Sequence, residues 1–367
     1  MLKGTEAAVR RVLKNGAKEL GSSVLTTMDD ASSSIKAWHG TTVPPLDVIL
    51  TGEVGRGLPS GRIIELYGDE HVGKTTLGCL LLAEMQRNGG VAVVFDTEGT
   101  LTVQRAAQLG CNTASLIYGE ERYVEDVLYQ IEYILQKIGN DTPALVVWDT
   151  IAGTQTRAEQ GRKPGEKTGM AEHARALSIG LRRLGKPLSQ SMMTVLAVNQ
   201  LKAAGFGKLF ATEREQEATL GGRAMRFHTH SRVRLKAARK FAVTRDKRAV
   251  TVGDEVKVMV TKDKDRPSNV RGRDAILVLQ KIGEGGGRFA AGYSCLRTLQ
   301  LWGALPKGSS VKFVGKKYTV DTWNDAYLND VPFQMKVHRA VELAHARLLN
   351  AVDRAKLMEP EKEEELV

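Results

Sequence analysis

Residues 62–75 read Arg62-Ile63-Ile64-Glu65-Leu66-Tyr67-Gly68-Asp69-Glu70-His71-Val72-Gly73-Lys74-Thr75, and they decide the fold. The last eight fit Gly-x-x-x-x-Gly-Lys-Thr, a phosphate-binding loop. Glycines at its two ends let backbone N–H groups converge on phosphate oxygens with no Cβ in the way. Lys74 suits the β and γ phosphates, Thr75 suits Mg²⁺, and the following helix adds the positive end of its dipole. Asp69, Glu70, His71, Val72 and Thr76 complete the cradle. Context raises this above a chance match: an apolar run precedes the loop, and an amphipathic helix from Thr75 to Arg87 follows it.

Working outward, the same strand–turn–helix unit recurs. Val91–Phe95, Ala144–Trp148 and Thr194–Val198 are short apolar runs of the kind a buried strand shows. Between them Val124, Val127, Leu128, Ile131, Ile134, Leu135 and Ile138 recur at helical spacing. Apolar strands separated by helices predict a doubly wound, mostly parallel sheet covered on both faces, an α/β core. Beyond residue 222 the strands become polar and closely spaced (Ser231–Leu235, Glu255–Val260, Ala275–Gln280), which predicts an antiparallel extension of the same sheet. The glycine run at 283–287 reads as a boundary, followed by a small α+β unit with a long helix from Gln334 to Leu357. Residues 5–20 predict an amphipathic helix with Val9, Val12 and Leu13 on one side, tethered by a Ser/Thr-rich stretch. Such a helix must dock on the core or on another subunit to bury that side.

The 367 residues carry a formal charge of +11, with 42% hydrophobic and 26% charged residues. That balance is globular, and the excess of positive charge favours a polyanionic partner. It is unevenly spread, since the end from Glu359 to Val367 is acidic. No apolar run reaches the roughly 18 residues of a membrane span. Cys79, Cys111 and Cys295 form no paired spacing and read as buried small side chains in a reducing cytoplasm. Asp149, closing the run at 144–148, has the place of a carboxylate that holds a magnesium hydration shell. Hydrolysis also needs a group to polarise water. Asp96 and Glu98 flank the end of Val91–Phe95, and only one of them is expected to face the γ-phosphate.

GLPSGRIIELYGDEHVGKTT, VVFDTEG, ALVVWDT, TVLAVNQ and ATLGGRAMRFHTHSRVRL occur in the order and at about the spacing found in RecA-type DNA strand-exchange recombinases, which this chain resembles over most of residues 45–300. The resemblance is to bacterial RecA and the phage proteins similar to it. It implies a RecA-like P-loop ATPase core with an N-terminal helix and a small α+β C-terminal domain. It implies ATP and Mg²⁺ as cofactors, with Thr75 and Asp149 as metal residues and Lys74, Glu98 and Gln200 as catalytic residues. Glu98 matches the base that activates water, and Gln200 the sensor that couples the γ-phosphate to DNA.

Two segments match the family's mobile DNA-binding loops, 155–170 and 201–222. In the second, Lys202 and Lys208 alternate with Phe206 and Phe210, which suits phosphate contact plus insertion of apolar groups between bases. Gly221 and Gly222 would let the backbone approach DNA; Arg223, Arg175 and Arg182 match basic DNA-contacting positions. Lys262 and Lys264 resemble a lysine pair that reaches across the subunit boundary to a neighbour's ATP, and Phe227 an aromatic at that interface. Lys312, Lys316 and Lys317 fall in the unit thought to engage duplex DNA. The implied organisation is 1–40 for protomer packing, 41–282 for the ATPase core, 283–357 for the C-terminal domain and 358–367 for an acidic tail. The implied partners are single-stranded DNA, homologous double-stranded DNA, further copies in a helical filament, and single-strand-binding and loader proteins, in a bacterial or host cytoplasm. A ring-forming helicase and a non-catalytic mediator are the rival readings. The lysine pair and C-terminal unit oppose the first, and the intact Lys74, Glu98, Asp149 and Gln200 oppose the second.

Several positions depart from the family pattern: the loop interior Asp69-Glu70-His71-Val72 stands where bacterial RecA is richer in Ser, and the lysine pair sits one residue nearer the following Pro267. Arg105 stands about where a tyrosine stacks on adenine. Trp148 precedes Asp149 where a small aliphatic is usual, and the sequence offers no reason for it. His228 and His230 are expected as solvated strand histidines rather than metal ligands.

Overall fold

In a computed structural model of the chain, residues 2–19, 35–160, 170–202, 218–245, 248–266, 273–282 and 286–353 are described. Helix α1 (Leu2–Glu19) precedes a short antiparallel pair, β1 (Trp38–His39) and β2 (Leu58–Pro59), which brackets helix α2 (Pro44–Thr51). The central sheet begins with β3 (Ile63–Gly68) and continues through α3 (Lys74–Arg87), β4 (Val91–Asp96), α4 (Val103–Gln108), β5 (Ile117–Gly119), α5 (Val124–Ile138), β6 (Ala144–Asp149), α6 (Met170–Ser189) and β7 (Met193–Lys202). Its parallel half has the order β3-β7-β6-β4-β5. Every residue of β3 and β6 is buried, as expected of strands covered on both faces.

Alternation along one strand assigns the two faces. Ala92 and Val94 pack with α3 through Leu77, Leu81 and Leu82, whereas Val93 and Phe95 pack with α5 and α6 through Val127, Ile131, Leu181 and Leu184. Burying one such aliphatic side chain contributes roughly 1.5–3 kcal/mol. The two faces together therefore hold the loops at the carboxyl ends of these strands in fixed relative positions.

After β8 (Ala218–Thr219) and helix α7 (Gly222–His228), strand β9 (Ser231–Arg245) joins β3 in parallel, and β10 (Arg248–Asp263), β11 (Asp274–Ile282) and β12 (Gly286–Phe289) follow antiparallel. The antiparallel extension has the expected place but greater length. β9 and β10 pair as far as Arg245 and Arg248, with register shifts that twist the ribbon. The polar stretch 236–245 is strand because Phe241 and Val243 turn inward onto the C-terminal unit while Arg239 and Lys240 stay exposed. Strand pairing also resumes within the glycine run, with Gly286, Gly287, Arg288 and Phe289 paired to β11.

The C-terminal unit then starts at α8 (Ala291–Leu301) and adds a hairpin, β13 (Ser310–Phe313) and β14 (Lys316–Thr319), followed by α9 (Val320–Asn329) and α10 (Val331–Asp353). α10 opens at Asp330, whose side chain accepts from Phe333 N at 3.0 Å. Trp323, Phe333 and Val337 share a core with Phe241 and Val278 of the sheet, so this unit is seated on the antiparallel strands.

Candidate nucleotide site and its loops

The phosphate loop leaves β3 at Gly68, where a Cβ would lie 2.0 Å from the Leu235 carbonyl oxygen; no other residue fits against β9 there. It enters α3 at Gly73, which has φ +89° and is packed against Phe289 and Leu279. Between them Val72 is buried, Glu70 and His71 are exposed, and His71 adopts φ 58°. Lys74 is buried and its Nζ donates back to the carbonyls of Gly68 (3.1 Å) and Asp69 (2.5 Å). Thr75 Oγ1 donates to Asp149 Oδ2 at 2.5 Å, joining the loop to the end of β6. Burial pushes the Asp149 carboxyl up to about 6, with Glu98 and Asp96 adding to the effect, and burial pulls the Lys74 ammonium down. An ammonium folded onto its own loop and a desolvated carboxylate against a threonine hydroxyl are the donor set that a nucleotide and a hard divalent cation fit.

Asp96 and Glu98 go separate ways, for a reason other than strand alternation. Positions two apart on a continuing strand would share a face. Here β4 ends at Asp96 and the chain turns at Thr97. Asp96 is buried and accepts from Leu101 N (2.7 Å) and the Tyr118 hydroxyl (3.3 Å). Glu98 instead accepts from the Thr150 hydroxyl (2.8 Å) and from Gln200 Nε2 (3.0 Å), both at Oε1. The structure thus brings Lys74, Thr75, Asp149, Glu98 and Gln200 to one edge of the sheet. Arg105 joins them from α4, donating to Thr76 Oγ1 (3.2 Å) and the Gly287 carbonyl (2.5 Å).

The two loops rise from the same edge. Residues 161–169 of the first and 203–217 of the second, with Phe206, Lys208 and Phe210, lie outside the described residues, as does the tail from 354. Lys202 ends the backbone of β7. Arg175 and Arg182 are exposed on α6, and Arg223 is exposed on α7. Gly222 is open, but Gly221 is buried, with a Cβ destined to lie 2.6 Å from Leu177 Cδ1. Its missing side chain therefore serves the packing of α7 on α6 rather than an approach to DNA.

Sequence reading missed the group that anchors the second loop. Glu65, fully buried in β3, accepts from Asn199 Nδ2 (2.9 Å) and from Arg232 Nε. Asn199 also donates to Leu220 O (2.9 Å), and Arg232 to Thr219 Oγ1 (3.1 Å), so both ends of that loop are tied to one carboxylate. The available signal was a charged residue inside the apolar run 63–67. Trp148 also acquires a reason: its indole donates to Thr154 Oγ1 (2.9 Å) at the base of the first loop, and its rings fill the core under α5 and α6.

Lys262 and Lys264 lie at the opposite edge. Asp263 pairs with Ser231 and Ser231 with Ile64, the start of the strand whose far end, Gly68, opens the phosphate loop. Four residues of strand, roughly 13 Å, separate the two edges. Lys262 Nζ donates to the carbonyls of Arg226 and Thr229 (2.7 Å to the latter), and burial with the nearby Lys264 charge lowers it to about 8. Phe227 is 75% exposed beside them. The histidines differ from expectation: His228 ends a helix. His230 is buried, its Nε2 3.3 Å from Asp265 Oδ2 and 3.9 Å from Asp263 Oδ1, because the β9–β10 hairpin folds the acidic end of β10 over it.

Residues 7–279 match the model of the RecA N-terminal domain. The chain is 34% identical over 257 residues to Protein RecA of Wolbachia sp. subsp. Brugia malayi (strain TRS), covering 65% of this chain and 69% of that one. It is 33% identical over 266 residues to Protein RecA of Wolbachia sp. subsp. Drosophila simulans (strain wRi), covering 68% and 72%. To Protein RecA of Nostoc punctiforme (strain ATCC 29133 / PCC 73102) it is 32% identical over 265 residues, covering 72% and 69%.

Proposed function

The chain belongs to the RecA family of DNA recombinases, and from that premise we propose that it hydrolyses ATP at protomer boundaries to control a helical filament on single-stranded DNA. The observation that carries this reading is the convergence of Glu98 and Gln200 beside the Lys74–Thr75–Asp149 group, at the stems of both loops. ATP with Mg²⁺ supplies the bond to be cleaved and the positive charge that draws electrons from it. Lys74 exchanges two backbone carbonyls for phosphate oxygens. Thr75 and Asp149 would hold the cation's shell, and Glu98 would accept a proton from water. Gln200, at the end of β7, connects that water site to the second loop. Arg105 offers a planar cation to the base, a different surface from an aromatic ring.

Lys262, Lys264 and Phe227, on the edge away from this chain's own phosphate loop, support a nucleotide shared with the neighbouring protomer. The exposed apolar side chains Val9 and Val12 of α1 support a packing role for that helix. Head-to-tail contacts of this kind build an open filament rather than a closed dimer. The exposed Arg175, Arg182 and Arg223 suit phosphate contact, and homology would then be tested by base pairing rather than by the protein. Lys312, Lys316 and Lys317 on the β13–β14 hairpin suit duplex DNA. None of the described helices is long and apolar enough to cross a membrane, and a cytoplasmic setting fits the three free cysteines. Strand exchange between a circular single strand and a homologous linear duplex tests the proposal. Joint molecules that require ATP and homology support it; ATP-independent annealing, or none, contradicts it.

A further inference from the structure

We propose that Thr150 is a positioning residue through which the stem of the first loop acts on Glu98, a role that rests on Glu98 serving as the base in ATP hydrolysis. Gln200 connects Glu98 to the second loop; the geometry gives the first loop a route of its own. Thr150 follows Asp149 directly and is buried. Its hydroxyl spends its one proton on Glu98 Oε1 (2.8 Å) and accepts from Gly153 N at 2.9 Å. The Thr150 backbone is pinned on the other side, where Thr97 Oγ1 donates to its carbonyl (2.8 Å) and accepts from its N–H (2.9 Å). Residue 150 is therefore fixed to the turn that carries Glu98, and its hydroxyl is the part free to answer to Gly153.

Gly153 and Thr154 are where the first loop leaves the core. Thr154 Oγ1 donates to the Thr150 carbonyl (2.8 Å) and accepts from the Trp148 indole (2.9 Å). Its own carbonyl meets His173 Nε2 at 3.0 Å, on the helix to which the loop returns. Both stems of the loop thus close on one residue, four positions from the hydroxyl that holds Glu98. Gly153 is also in contact with the carboxylate's side chain: a Cβ there would lie 2.8 Å from Glu98 Cγ. A pull on residues 155–160 by bound DNA shifts Gly153 N and, with it, the direction of the Thr150 hydroxyl. The donors from the two loops meet on Oε1, which assigns Oε2 to the water proton. Glu98 is thus held from the stems of both loops, and displacement of either stem changes its aim.

The test uses the full-length protein on single-stranded DNA, with Thr150→Val, Thr150→Ala, Thr150→Ser and Gly153→Ala measured beside Glu98→Gln. Thr150→Val is isosteric and lacks the hydroxyl. It is expected to lower kcat for ATP about tenfold while KM changes less than about twofold, the signature of a misaimed base rather than a lost ligand. Thr150→Ser restores the hydroxyl and is expected to recover at least half of kcat. Gly153→Ala, whose Cβ would press on Glu98 Cγ directly, is the control for a displaced base, and Thr150→Ala, with the same expected loss of kcat as Thr150→Val, keeps the inference testable if Thr150→Val does not fold. Wild-type kcat in Thr150→Val or Thr150→Ala overturns the inference, as does a Thr150→Ser protein as slow as Thr150→Val. If Glu98→Gln still turns over ATP, the assignment of Glu98 fails. If Glu98→Gln is inert and Thr150→Val is fast, only the role of Thr150 fails.

Discussion

Gln200 Nε2 lies 3.0 Å from Glu98 Oε1, so the last polar residue before the second loop touches the carboxylate proposed to activate water. The amide and the carboxylate sit on β7 and just beyond β4, strands separated by β6. A displacement of the loop stem therefore reaches the site through one hydrogen bond.

Removing that bond should separate DNA binding from turnover. Gln200→Ala is expected to retain nucleotide binding and to lose most of the DNA stimulation of ATP hydrolysis, a loss of order 10–100-fold in stimulated kcat. Steady-state hydrolysis with and without single-stranded DNA, beside filter binding of the DNA, checks it. A variant that is still fully stimulated contradicts the coupling.

Asp149 gives a trade-off between stability and function. Its carboxyl is raised from 3.8 to about 6, so the folded protein holds that proton more tightly than the unfolded chain. The sign follows: this contribution to stability is complete below pH 4 and is lost as pH rises through about 6. Asp149→Asn is thus expected to stabilise the nucleotide-free protein at pH 8, by about 1 kcal/mol, while abolishing magnesium-dependent ATP binding. Thermal melts at pH 5 and pH 8 test this. An Asn variant less stable than wild type at pH 8 contradicts it. Magnesium-dependent ATP affinity of the wild type should fall below about pH 6.

Glu65 and Arg232 form a buried pair whose partners cannot be removed singly without cost. Glu65→Ala leaves the Arg232 charge buried with Thr219 and the Tyr67 ring as its company, and is expected to destabilise by about 3–5 kcal/mol. Urea denaturation measures it. A loss below about 1 kcal/mol would mean that water replaces the carboxylate.

The lysine pair allows a complementation test. Lys262→Ala/Lys264→Ala keeps its phosphate loop, and Lys74→Ala keeps its lysines, so each alone is expected to be inactive and a mixture to recover part of the ATPase activity. No recovery at any ratio contradicts a site shared between protomers. Because Lys262 is lowered to about 8, ATP-driven assembly should take up a proton near pH 8 and weaken at higher pH.

What was legible in the sequence was contiguous. The phosphate loop lies within one stretch of chain, and Asp149 and Gln200 each close an apolar run. What was hidden depends on pairings between distant positions. Glu65 meets Arg232 across 167 residues and Thr150 meets Glu98 across 52, and no local pattern encodes either contact. Trp148 reads as anomalous although its partner Thr154 is only six residues on, because the turn that brings that hydroxyl to the indole leaves no pattern in the sequence. In sequence His230 reads as a solvated residue, because its burial comes from the far end of β10. Gly221 reads in sequence as room for DNA, whereas in the fold that space is taken by Leu177.

The most direct test of the account is ATP hydrolysis measured with and without single-stranded DNA, for the wild type and for Glu98→Gln. The expected result is a wild-type rate raised at least about tenfold by DNA and a variant that binds ATP and DNA but falls by roughly 100-fold or more in turnover. Turnover indifferent to DNA, or a Glu98→Gln protein close to wild type, would contradict the assignment of this site as a DNA-coupled ATPase centre.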